Sequence, residues 1–175
     1  MAGSICRKEA CMPEKSELLR ELCQRREALL RSVEGLSEGQ FTAPGAIGET
    51  WSAQDALAHI TAWEREFVET VRAFVERRPP HRIEGLSDLS ETDRWNERSV
   101  SQRRNWPAHE VLIELGIVHN EFLALLSDLT EEQLGERIEL PWGESGRVQQ
   151  LFTLIAEHDD EHTLALQAWH QALPI

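Results

Sequence analysis

His158 and His162 stand one helical turn apart, at positions where the surrounding spacing calls for aliphatic side chains. Alternating steps of three and four through this region give Val148, Leu151, Ile155, His158, His162, Ala165 and Trp169, the buried seam of an amphipathic helix. A buried polar group without a partner costs roughly 1–3 kcal/mol, so two adjacent imidazoles on a seam call for a reason. Side chains at i and i+4 project the same way, about 5–6 Å apart at Cβ, which lets both rings reach one ion. A third histidine, His59, lies beside the stripe Ala56, Ile60, Trp63, Phe67, Val71 and Phe74 of an earlier helix. It is about 40° around that helix from Trp63, at about 100° per residue, and so at the edge of the core. Neutral imidazole suits zinc, nickel, iron or copper, and ligand type alone does not choose among them. Three protein nitrogens leave a coordination position open for water or a substrate thiol, as catalytic sites do. The competing reading of each ring is a hydrogen-bonded core histidine, and for His59 alone that is the simpler one.

Other residues carry less. Asp159 occupies the Glu position of an HExxH pattern, but its shorter side chain does not make a metalloprotease. Glu157, Asp159, Asp160 and Glu161 are expected on a solvated face, with orientation of a ligand imidazole as the alternative for one of them. His119 flanks a third helical seam as a weak fourth candidate, while His81, His109 and His170 look peripheral. Trp63 and Trp95 are candidates to line a pocket, although large aromatics in a bundle are usually core. There is no Gly-rich phosphate loop, no GxSxG and no nucleophile triad.

The elements that must position these groups read as helices. Residues 1–12 lack periodicity and are expected to form a loose arm ahead of a single four-helix-bundle domain at 13–175. The first helix carries Leu18, Leu22, Leu29, Val33 and Leu36, with Arg25 and Arg26 in the gap, expected to snorkel past the core edge. Ser37 with Gln40 forms a capping-box pattern, and Ser52 with Asp55 opens the second helix, which Pro79-Pro80 ends. Residues 79–106 read as a polar crossover with one short helix near 91–104. Val111, Leu115, Val118, Phe122, Leu125 and Leu129 mark a third long helix, with Pro107 in its first turn. Leu129-Thr130-Glu131-Glu132-Gln133-Leu134 then mirrors Leu36-Ser37-Glu38-Gly39-Gln40-Phe41, so the chain reads as two helix–turn–helix halves. The fold class is all-α: four helices with a long crossover between the second and third. Arg137–Leu140 is too short to count as a strand.

Composition narrows the function. With 18 basic and 31 acidic residues among 175, the formal charge is −13. That balance argues against a phosphate-binding face, hence no nucleic acid, and against an anionic membrane surface. Cys6, Cys11 and Cys23 are odd in number and form no CxxC, which favours free thiols in a reducing cytosol. No run approaches the ~18–20 apolar residues of a membrane span, and the first residues lack the apolar core of a signal peptide. A cytoplasmic protein with no membrane partner is expected.

Trp51-Ser52-x-x-Asp55-x-x-x-His59-x-x-x-Trp63-Glu64, followed about a hundred residues later by Glu157-His158-x-x-x-His162, resembles the DinB-like (YfiT-like) superfamily. Trp95-Asn96-Glu97 and Pro141-Trp142-Gly143 are most similar to its ClbS/DfsB branch. The resemblance implies a four-helix bundle, commonly a homodimer, with His59, His158 and His162 as ligands of a divalent metal, zinc or nickel ahead of iron. It implies a small-molecule substrate, with a thiol-dependent S-transferase acting on small electrophiles as the first reading and a low-molecular-weight thiol as co-substrate. The alternatives are a metal-free hydrolase that protects against a reactive metabolite, with His59 or a carboxylate as base, and a non-catalytic stress protein that holds a small ligand.

Overall fold

The computed structural model describes residues 14–86 and 89–173. The arm expected at 1–12, with Cys6 and Cys11, lies outside the described residues; Cys23 is an exposed free thiol. Helix α1 (Lys15–Ser32) is followed by the short α2 (Glu38–Thr42), and then by α3 (Ala53–Val75). After the crossover, whose helix is α4 (Thr92–Ser101), come α5 (Ala108–Asp128), the short α6 (Glu131–Gly135) and α7 (Val148–Gln171). The long helices α1, α3, α5 and α7 form the bundle. No helix among the described residues is long and apolar enough to cross a membrane.

Local sequence sets the helix starts. Ser37 with Gln40, Ser52 with Asp55 and Thr130 with Gln133 each form a reciprocal capping box, so both halves of the repeat use the same device. At α3 the Ser52 hydroxyl accepts from the Asp55 N–H at 3.0 Å, and the Asp55 carboxylate accepts from the Ser52 N–H at 2.9 Å. Such a cap stabilises a helix by typically about 1 kcal/mol, and here it fixes the start of the helix that carries His59. Two expectations need adjusting. Pro107 is the residue before α5 rather than part of its first turn. Arg137–Glu139 does form a strand, β1, paired antiparallel with β2 (Ser145–Arg147) in a hairpin. Three ladder residues leave no alternation long enough to read, which is why the pattern is silent.

Apolar packing divides into two clusters. One holds Leu22, Trp63, Phe67, Phe122, Phe152 and Ile155; the other holds Leu29, Leu57, Ile60, Val111, Leu115 and Leu166. Between them lies a charged layer with one residue from each long helix: Arg26 of α1, Glu64 of α3, His119 of α5 and Asp159 of α7. The Arg26 guanidinium donates to Asp159 through Nε at 2.8 Å and Nη2 at 3.2 Å, and to Glu64 Oε2 at 3.1 and 3.0 Å. His119 Nδ1 lies 2.7 Å from the other Glu64 oxygen. Burial acts to lower the Arg26 pKa, but the carboxylates of Glu64 and Asp159 outweigh it and hold the group above its ordinary value. Burial pushes the Asp159 carboxyl up, against the pull of Arg26.

This layer corrects the sequence reading at two residues. Arg25 does reach the rim, where it pairs with Asp160, but Arg26 is only 4% exposed and does not snorkel. Asp159, expected on a solvated face, is fully buried. The buried face of α7 runs through Phe152, Ile155, Asp159, Thr163 and Leu166, rotated from the expected seam so that Ala165 is exposed. An unpaired acid would not be buried, and nothing local to α7 announces a partner 133 positions away in sequence.

Removing one member of a buried ion network leaves its partners uncompensated, at a cost of about 3–5 kcal/mol. Arg26→Met is therefore expected to lower unfolding free energy by about that amount in urea titration. Adding Glu64→Gln and Asp159→Asn to that variant is expected to recover much of the loss.

Candidate metal centre

His59 sits in the second turn of α3, one turn beyond the Asp55 cap, and is 5% exposed. His158 and His162 project from the shoulder of α7's buried face, His162 buried and His158 partly open. Packing of α3 against α7 brings the three rings together. His59 Nε2 lies 2.8 Å from His158 Nε2, and His162 Nε2 lies 3.0 Å from the same atom. One ring nitrogen from each of the three falls within 4.8 Å of the others. The ring planes are inclined by 79°, 74° and 68°, so edges rather than faces meet.

These nitrogens fit a metal ion. A ring nitrogen carries either a proton or a lone pair, so His158 Nε2 cannot accept from one neighbour and donate to the other. A cation among the three resolves that conflict, since all three can present lone pairs to it. Zinc–nitrogen bonds of about 2.0–2.1 Å in tetrahedral geometry separate ligand nitrogens by roughly 3.3 Å, so His158 needs to part from each of its two neighbours by only a few tenths of an ångström. Their electrostatics fit as well. Burial, then the neighbouring His158 and His162, hold His59 well below the ordinary imidazole value. Burial, His162 and Arg26 lower His158 to about 3, and burial lowers His162 against the opposing pull of Glu161. Metal ligation requires the neutral ring.

In front of the three rings opens a cleft of about 660 Å³, walled by Trp51, Trp63, Phe67 and Trp142, with Asn96, Leu154, Glu157 and Glu161 at its sides. Each indole N–H in this wall is already engaged: Trp63 with Asn96 at 3.0 Å, Trp51 with Glu97 at 3.3 Å and Trp142 with Glu144 at 3.1 Å. The crossover therefore builds one wall, through Asn96 and Glu97 of α4, and the β1–β2 hairpin delivers Trp142. Trp63 lines the cleft as expected, but Trp95 does not. It is 5% exposed and packs behind Trp63 with ring centroids 4.6 Å apart.

The remaining histidines stay apart from the triad. His119 belongs to the charged layer, His81 pairs with Glu66 at 2.6 Å, His170 Nδ1 faces the Ser32 carbonyl at 2.9 Å, and His109 is exposed. Trp51, Phe67, Trp142 and Leu154 went unassigned to the site at the level of sequence. Trp51 and Trp142 had a signal, since each follows the loop after a capping box and precedes a long helix.

A family model described as the DinB superfamily matches residues 13–166. Among solved structures, the colibactin self-resistance protein ClbS, crystallised in complex with a double-stranded DNA, aligns with a TM-score of 0.80 at 14% identity over 94% of this chain and 100% of that one. An uncharacterised Escherichia coli UTI89 protein gives 0.76 at 17% identity, over 90% of this chain and 92% of that one. DfsB, described as a sibling lethal factor precursor, gives 0.74 at 13% identity, over 93% and 99%. No curated protein matches the chain. At these identities the likeness is one of fold. The ClbS–DNA complex nevertheless overturns the expectation that excluded nucleic acid on net charge. A total of −13 sums over every face, whereas phosphate contact needs only one, and Arg77, Arg78 and Arg82 are all exposed despite that total.

The neutral rings make stability depend on pH. Between the ordinary value of 6.5 and about 3, an unfolded chain takes up a proton that folded His158 refuses, so stability falls as pH falls. From pH 6.5 to 5 this group alone is expected to cost about 2 kcal/mol. Denaturant titrations of chelator-treated protein should show that loss, and His158→Gln should flatten the slope over the same window.

Proposed function

The chain belongs to the DinB superfamily, and on that premise we propose that it is a metal-dependent enzyme acting on a small electrophile. His59, His158 and His162 hold a divalent metal, and the nucleophile is water or a low-molecular-weight thiol. The observation that carries this reading is the convergence of three imidazole nitrogens within 4.8 Å at the base of an aromatic cleft. The metal supplies Lewis-acid chemistry, which lowers the pKa of water or a thiol. The chain's own residues do the rest. Burial keeps the rings deprotonated and ready to bind, and the indoles exclude water around the substrate. The cleft volume suits a small molecule. The donor set suits zinc, nickel or iron alike, and the order of zinc or nickel ahead of iron rests on the family resemblance.

The alternative of a metal-free hydrolase needs a general base at the site. An efficient base titrates near the working pH, and His59 is held well below its ordinary value by burial and by its neighbours. That imidazole is a weak base at neutral pH, which leaves a cleft carboxylate, Glu157 or Glu161, as the base of this alternative.

Protein purified without a nickel column is expected to carry close to one equivalent of divalent metal by elemental analysis. Metal at a hundred times its Kd should stabilise the chelated protein by about 2.7 kcal/mol. His158→Ala combined with His162→Ala should abolish both effects. Chelation should also remove turnover across a panel of electrophiles with water and several thiols, and one metal should restore it. Full metal occupancy in the double variant would overturn the assignment.

A further inference from the structure

The wall of the cleft carries a chemical preference that the metal reading does not specify. No lysine or arginine lines it among the described residues, while Glu157 and Glu161, one turn apart on α7, both do. Neither carboxylate makes a hydrogen bond or ion pair within the described structure, and both are exposed. Anions need donors as well as positive charge, and here the obvious donors are taken. The indole N–H groups of Trp51, Trp63 and Trp142 are bound to Glu97, Asn96 and Glu144. What the indoles leave for a ligand is their π faces, which attract cations. Two of the three N–H groups donate to carboxylates, which adds electron density to those rings. Trp63, Phe67 and Trp142 lie within 6.5 Å of one another by ring centroid, so they form one aromatic corner rather than scattered contacts.

We propose that the cleft selects substrates bearing an alkylated or aromatic ammonium group, held in the corner that the Trp63 and Trp142 rings form at 75° and close to the carboxylates of Glu157 and Glu161, and that it rejects anionic ones. This rests on the reading of the cleft as the site of chemistry. The cation places the adjoining electrophilic carbon toward the three imidazoles. The same preference favours water over carboxylate-rich thiols as the nucleophile.

Three small probes of similar size test the charge preference by tryptophan quenching and calorimetry: benzyltrimethylammonium, benzyl alcohol and phenylacetate. The full chain is used, both as purified and after chelation, with metal content measured in each sample. Benzyltrimethylammonium is expected to bind at least tenfold more tightly than benzyl alcohol in both forms. Phenylacetate is expected to bind the chelated protein more weakly than either. Glu157→Gln with Glu161→Gln, two exposed positions, should weaken the ammonium at least threefold and leave the alcohol within twofold. Trp142→Leu should weaken the ammonium more than the alcohol. Equal affinities for the three probes, or a preference unchanged in the Glu→Gln pair, would overturn the proposal. Charge preference in protein that carries no metal as purified and takes up none when metal is added would refute the metal reading alone, and bound metal without charge preference would refute this inference alone.

Discussion

A guanidinium enclosed at the centre of the bundle constrains everything around it. Arg26 touches the carboxylates of two other helices, and through Glu64 it reaches His119 on the fourth. Apolar contact is tolerant of small rotations, because one aliphatic side chain can slide past another. A network of oriented hydrogen bonds in a dry interior is not, since each lost partner leaves a charge that water cannot reach. The four long helices are therefore fixed in rotation and in height by one layer, with an apolar cluster on each side of it.

The triad follows from that constraint. Asp159 must face Arg26, so its neighbour His158 is turned aside towards α3, and His162 follows one turn later. On α3 the Ser52–Asp55 cap sets the start of the helix, and Glu64 sets its rotation, which together determine where His59 points. The imidazoles meet because the residues beside them are locked, and they remain neutral because the same packing excludes water.

Much of this was legible in the sequence, for identifiable reasons. Helical period, three capping boxes and the crossover length give the architecture, because each is a local pattern. His158 and His162 stand out as polar residues on an apolar period, and His59 is joined to them by the motif around Trp51 and Trp63. What escaped depends on partners distant in the chain. Asp159 and Arg26 look like surface charges until each is seen to be buried against the other. Trp95 looks like a pocket residue until Trp63 is found in front of it. Net charge misled about nucleic acid because it carries no information about where charges lie.

Part of the cleft's wall comes from two connections that hold none of the imidazoles. Asn96 and Glu97 stand on the crossover and Trp142 on the hairpin, whereas the nitrogen donors belong to α3 and α7. Mutations in those two connections can reshape what is recognised while leaving the reactive centre and its supporting charge layer intact. A scaffold divided in this way can diversify its chemistry over evolutionary time without passing through unfolded or inert ancestors.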